Sequence, residues 1–156
     1  MTAWILEMRP KEWDVDKYMR ALTRGAADPS LAWPVDDHAE DIAEGDRVYL
    51  WRAGDHKVEG IVAIARVEGT VENREGDNET FRKSAFAEAY AESRPRALLR
   101  VETVLSKPLY RVKLEWTEET KNLAVITAKE GTAFQVGKGQ DKALQRLCKP
   151  LAQDVG

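Results

Sequence analysis

Residues Arg47 to Arg52 read Arg-Val-Tyr-Leu-Trp-Arg, a period-two alternation that sends Val48 and Leu50 to one face of a strand and Tyr49 and Trp51 to the other. Both faces are apolar, so both need cover. A Gly45-Asp46 turn precedes this segment, and Gly54-Asp55-His56-Lys57 leads from it into Val58 to Val71, a long β-rich run interrupted by Gly60 and Gly69. The two runs form a hairpin, and glycines within a strand mark bulges or sharp bends in curved sheets. Upstream, Trp4 to Met8 reads as a short apolar strand stopped by Pro10. Downstream, Pro95 to Leu105 alternates as a further strand, which Lys107-Pro108-Leu109 breaks.

Helical spacing appears between these runs. Asp14 is a fitting N-cap for a helix in which Val15, Tyr18, Met19 and Leu22 recur on one face, with Gly25 as its stop. Ala26 to Pro34 reads as a loop carrying Trp33, and Asp37 to Ala43 as a second short helix ending at Gly45. Glu72 to Glu79 is polar and reads as mobile. Phe81 to Ser93 reads as a helix with Phe86 and Tyr90 on one side. A weak helix at Glu118 to Asn122 precedes the apolar Leu123 to Thr127, and Asp141 to Cys148 closes the chain as a helix with Ala143, Leu144 and Leu147 inward. Strands joined by hairpins, with helices gathered toward the two ends, predict an α+β fold around an antiparallel or mixed sheet, curved or partly closed as a barrel. A length of 156 residues suits one domain spanning 1–156.

Composition removes several function classes. Hydrophobic residues at 43% and charged residues at 33% exclude disorder of the whole chain. Apolar stretches such as Ile61 to Ala65 fall far short of the roughly 20 residues of a membrane span, so no membrane partner is expected. Glu7 and Arg9 follow Met1-Thr2-Ala3-Trp4-Ile5-Leu6 too soon for a signal-peptide core, and a cytoplasmic location is expected. Cys148 is the single cysteine, with no partner for a disulfide within the chain. The histidines, His38 and His56, lack cysteine partners and metal-ligand spacing, and neither has a nucleophile-elbow Ser or Cys nearby. Gly131 to Gly139 is no phosphate loop: five residues rather than four precede the Gly137-Lys138 pair, and Gly139 stands where a Ser or Thr hydroxyl is required. No metal, no cofactor and no catalysis are therefore expected.

A net charge of −3 argues against a protein that coats nucleic acid by charge alone. Any such binding must be local. Basic residues gather at Arg94, Arg96 and Arg100 and at Lys107, Arg111 and Lys113, while acids dominate Asp36 to Glu44. Five tryptophans punctuate the chain. Trp4 and Trp13 bracket the first strand and helix and read as core, and Trp116 lies in a segment too short to place. Trp33 sits beside Pro34, and Trp51 ends a strand just before Arg52-Ala53-Gly54. Such rings either fill gaps beneath loops or present a face on which an extruded base stacks.

Trp4-Ile5-Leu6 with Arg9-Pro10-Lys11, Trp33-Pro34-Val35, the block Gly45 to Gly54, Gly60-Ile61-Val62-Ala63, Lys107-Pro108-Leu109 and Gly131 to Val136 together resemble the EVE domain over about residues 3–147. The resemblance implies a PUA-like fold, a pseudo-barrel of mixed, mostly antiparallel strands with flanking helices, related to YTH readers. It implies a non-catalytic reader that takes a modified base, of the 5-methylcytosine or 5-hydroxymethylcytosine type in DNA or a modified base in RNA, into an aromatic pocket. The implied partners are nucleic acid carrying such bases, with restriction or RNA-processing proteins encoded nearby. Transferred to this chain, Trp33 would stack on the base beside Pro34, and Trp51 or a neighbouring ring would close the pocket next to Ala53. Arg9, Asp36 or Arg52 would supply polar recognition, and Arg94, Arg96, Arg100 and Lys107 would hold phosphates. Arg9 is a departure, since the family pattern has Asn before Pro-Lys. Two other readings stay open on the residues: a protein-interaction module without a base pocket, and a small hydrolase acting on a nucleotide-like ligand.

Overall fold

In the computed structural model, which describes residues 1–83 and 92–155, the chain runs β1 (Ala3–Met8), α1 (Val15–Thr23), β2 (Ser30–Pro34), β3 (Arg47–Arg52), β4 (Gly60–Val67), β5 (Glu72–Arg74) and β6 (Arg94–Tyr110). It continues through α2 (Arg111–Glu115), α3 (Ala124–Thr127), β7 (Ala133–Val136), α4 (Lys138–Cys148) and β8 (Ala152–Asp154). The strands make one sheet in the order β2-β6-β4-β3-β1-β7, with β5 and β8 also paired to β6. β1 and β3 are parallel and the other pairings antiparallel. The α+β pseudo-barrel of mixed, mostly antiparallel strands is thus the architecture observed. It stays open, since β2 and β7 end the path without pairing to each other.

The two apolar faces of β3 receive two cores. Trp4, Leu6 and Met8 of β1 join Val48 and Leu50 on one side, beneath Val15, Tyr18 and Leu22 of α1 and Leu31 and Trp33 of β2. Ala3, Ile5, Tyr49 and Trp51 face the other side, covered by Leu114, Leu123, Leu144 and Cys148. Asp14 caps α1 as its residue type predicts, its carboxylate accepting from the Lys17 amide at 3.2 Å.

Several sequence expectations are corrected. Residues 30–34 are a strand rather than a loop: Leu31, Ala32 and Trp33 are buried in succession against β6, and Pro34 ends the strand where its missing N–H does no harm. Residues 37–43 form turns, not a helix. His38 takes a left-handed φ of 60°, and the Ala43 amide donates to the Asp46 carboxylate, which also accepts from Trp4 Nε1. Within 72–79, residues 72–74 are an edge strand on β6. Lys107-Pro108 does not end its strand but lies in a bulge of β6. Ile61 pairs with Leu109 and Ala63 with Val104, so Val62 alone faces the four residues 105–108, three more than its own strand supplies. Gly60 permits close approach there, since a Cβ would meet the Leu109 carbonyl oxygen at 2.3 Å. Glu118 to Asn122 is turn, and the helix lies before it, in α2. The final helix starts at Lys138, earlier than expected, with the Gly137 amide donating to the Gln140 side chain. Most of the helix expected over Phe81 to Ser93, with Phe86 and Tyr90, lies outside the described residues.

Candidate functional site

The end of β1 carries an acid out of an apolar strand. Glu7 follows Leu6 and precedes Met8, and its backbone carbonyl accepts a hydrogen bond from Trp33 Nε1 at 3.1 Å. Its amide donates to the Thr132 carbonyl at 2.9 Å, tying the loop before β7 to the same spot. Trp33 stands edge-on to Trp13, with ring centroids 5.3 Å apart, and is only 4% exposed. It borders a cavity of about 210 Å³, open to solvent, which Pro34, Glu7, Arg9, Glu12, Asp36, Arg94 and Thr132 also line.

The cavity is polar and mixed in charge. Three acidic and two basic residues line it, Glu7 at least through its backbone, and Arg94 forms an ion pair with Asp36. Burial pushes the Glu7 carboxyl above its ordinary range; Arg9 opposes this, Glu59 adds to it and Arg111 opposes it. A second depression of about 400 Å³, lined by Arg9, Pro10, Lys11, Glu12, Ala53 and Gly54, adjoins the first through Arg9 and Glu12.

Of the residues expected at the site, Trp33, Pro34, Asp36 and Arg9 are brought together, and Ala53 borders the adjoining depression. Trp51 is not at the site. Its ring is 0% exposed in the opposite core, and its Nε1 donates to Glu59 at 3.1 Å, because Glu59 and its partner Arg111 seal that strand end. Arg52 lines neither hollow. Its guanidinium donates twice to Asp16 of α1, at 2.9 and 3.1 Å.

The expected phosphate contacts also separate. Arg96 is 1% exposed and donates to the carbonyls of Arg74, Ala32 and Glu92, so it braces β2, β5 and β6 from within and has no surface for a phosphate. Arg94 faces the cavity, Arg100 is exposed on β6, and Lys107 borders a different hollow against α1. Glu7, Glu12 and Thr132 were not singled out in the sequence. Glu7 has a signal there, an acid inside an otherwise apolar strand; Thr132 has none, since only the pairing of β7 with β1 brings it near. Among the described residues, no three His, Cys, Asp or Glu side chains gather as metal ligands would, and no helix is long and apolar enough to cross a membrane.

No family model matches the sequence, and no curated protein does. Solved structures do match. A hypothetical protein from Leishmania major is 15% identical with a TM-score of 0.66, covering 96% of each chain. A Rhodopseudomonas palustris protein is 16% identical with a TM-score of 0.66, covering 97% of this chain and 95% of that one. Human THYN1 protein, solved in complex with 5-methylcytosine containing DNA, is 10% identical with a TM-score of 0.65, covering 94% of this chain and 97% of that one. Likeness at these identities is a likeness of fold, and the fold is the one that the resemblance to the EVE domain implied.

Proposed function

We propose that this chain is an EVE-type reader that binds nucleic acid without catalysis and takes one modified base, extruded from its strand, into the cavity beside Trp33. The observation that carries the reading is that cavity: about 210 Å³, open at the mouth, walled by an indole and rimmed by carboxylates and guanidiniums. At about 30 Å³ per water it has room for roughly seven, the scale of one heterocycle rather than of a dinucleotide. A cytosine presents an exocyclic amine as donor beside ring acceptors. Asp36 suits the amine, as a carboxylate does when it reads cytosine N4, and Arg9 and Arg94 suit the acceptors. The DNA complex of human THYN1, which shares this fold, supports the same ligand class.

Selectivity follows from magnitudes. One buried methyl contributes about 0.8 kcal/mol, roughly fourfold, and a shaped pocket extends this to about 1–3 kcal/mol. A hydroxymethyl group accepting or donating inside a rim this polar would be discriminated more sharply. With Arg9, Lys11 and Arg94 as the cations nearest the two hollows, the slope of log K against log salt is expected near −2 for single strands, at about −0.7 per phosphate.

The test is an anisotropy titration with DNA and RNA oligonucleotides carrying cytosine, 5-methylcytosine or 5-hydroxymethylcytosine at one position. Tighter binding of a modified base is expected, weakened about tenfold by Trp33→Phe and reduced by Asp36→Asn. Phenylalanine replaces the alanine one would choose for an exposed ring, because Trp33 is also core. Equal binding of all three bases by the parent and the two variants would overturn the reading, and so would turnover of the oligonucleotide.

A further inference from the structure

Among the described residues, the large apolar side chains left exposed are Met1, Val58, Tyr110, Val112 and Trp116, and Trp116 is the extreme at 87%. Apart from Met1 they gather where β4 begins and β6 ends. Gly60 pairs with Tyr110, and the Arg111 amide donates to the Glu59 carbonyl, so Val58 lies next to the start of α2. On α2, Val112 and Trp116 are four residues apart and Lys113 and Trp116 three apart, so the three share a face, while Leu114 is buried behind them. His56 holds Glu115 at 2.7 Å and anchors the helix to the 54–57 turn.

This patch lies on the edge of the sheet that also carries the candidate site. Met8 is beside Arg52, Arg52 beside Gly60 and Gly60 beside Tyr110. Three interstrand steps of about 4.8 Å put the two ends of that row about 14 Å apart. The hollow lined by Arg9, Lys11, Ala53 and Gly54 occupies the first step, and Arg111, the first residue of α2, is near enough to act electrostatically on Glu7.

Size and charge select the occupant. An indole this open offers on the order of 200 Å², and its three neighbours are each only about two-fifths exposed. The sum falls well short of the roughly 800 Å² per partner of a stable protein interface. The nearby carboxylates are engaged, Glu115 by His56 and Arg111 and Glu118 by Lys121, whereas Lys113 has no ion-pair partner among the described residues. An open indole beside an uncommitted cation suits a base and its phosphate.

We propose that Trp116 is a second stacking platform, which holds an unpaired base of the strand flanking the one in the Trp33 cavity, with Lys113 on its phosphate. The proposal rests on the reading of that cavity as a base pocket. Together the two would measure out a segment of strand, so that affinity depends on flank length on one side.

Because the other four tryptophans are at most 4% exposed, iodide quenching of the intrinsic fluorescence reports on Trp116. The full chain is titrated with single-stranded oligonucleotides holding one 5-methylcytosine and flanks of zero to six nucleotides on either side. Trp116 is expected to lose iodide access only when the flank on one side is long enough, and Trp116→Ala to weaken those oligonucleotides about tenfold while leaving the shortest unchanged. A substitution at so exposed a site leaves folding intact, which thermal unfolding checks. If long oligonucleotides bind by anisotropy while Trp116 stays open to iodide, the platform is wrong and the cavity reading survives. If no oligonucleotide binds, both fall. Shielding of Trp116 that grows with protein concentration alone identifies a second copy as the occupant and overturns the proposal.

Discussion

Trp33 and Trp51 both stand near the end of a strand, yet one borders a hollow and the other is sealed. Trp33 packs against Trp13 and borders a hollow where β2 meets the end of β1. Trp51 has Glu59 on its indole nitrogen, and Glu59 is itself held by Arg111 at 3.0 Å. The difference lies in the cover: the Glu59–Arg111 pair at the start of β4 and α2 closes one strand end, whereas at the other a hollow remains beside the more exposed Asp36–Arg94 pair. Strand-end position alone does not make an aromatic available to a ligand.

This contrast breaks or sharpens under substitution. The largest effect is expected from Trp51→Ala, a loss of about 3–5 kcal/mol in denaturant unfolding, as for a fully enclosed indole. A loss under about 1 kcal/mol would mean that the ring is not sealed. Arg111→Ala should come next, near 3 kcal/mol, because it leaves the Glu59 carboxylate buried beside Trp51 without its partner. Pairing Arg111→Met with Glu59→Gln should recover much of that loss, which a double-mutant cycle measures. Trp33→Phe should cost under about 1.5 kcal/mol in stability while losing about tenfold in binding, so the two readouts separate at this ring as they cannot at Trp51. Asp36→Asn should change stability by no more than about 0.5 kcal/mol, since both members of its pair with Arg94 are substantially exposed, and its effect should appear in the oligonucleotide titration.

The smallest effect is that of pH through Glu7. Its folded carboxyl is raised above the ordinary 4.5, mainly by burial, so the folded state holds this proton more tightly than the unfolded chain. The stability it contributes is complete below the unfolded value and is lost as pH rises through the folded one. Unfolding midpoints compared between pH 4 and neutrality should fall less steeply in Glu7→Gln than in the parent. Identical slopes would mean that the Glu7 carboxyl is not buried in the folded state.

Legibility in the sequence followed the reach of each signal. β1, α1 and β3 were readable because their alternation and capping are local. β2 was not, since Leu31, Ala32 and Trp33 are buried in succession and show no period of two. The turns at 37–43 and the bulge at 105–108 depend on Asp46 and on Val62, each set by tertiary pairing. At the site, Trp33, Pro34, Asp36 and Arg9 were visible through the resemblance, whereas Glu12 and Thr132 reach it only through the tertiary structure.

What the amino-acid order determined by itself is the pair of apolar faces on β3, the cap of α1 and the demand for cover on both sides. Only the tertiary structure decided that Trp33 rather than Trp51 borders a hollow, that Arg96 is an internal brace rather than a phosphate contact, and that Trp116 stands open. Local order sets the direction of a side chain, through dihedral preferences and hydrophobic periodicity. Exposure depends on what arrives to cover it, and here the cover comes from far along the chain: Arg111 from 52 residues beyond Glu59, and the Ala32 carbonyl from 64 residues before Arg96.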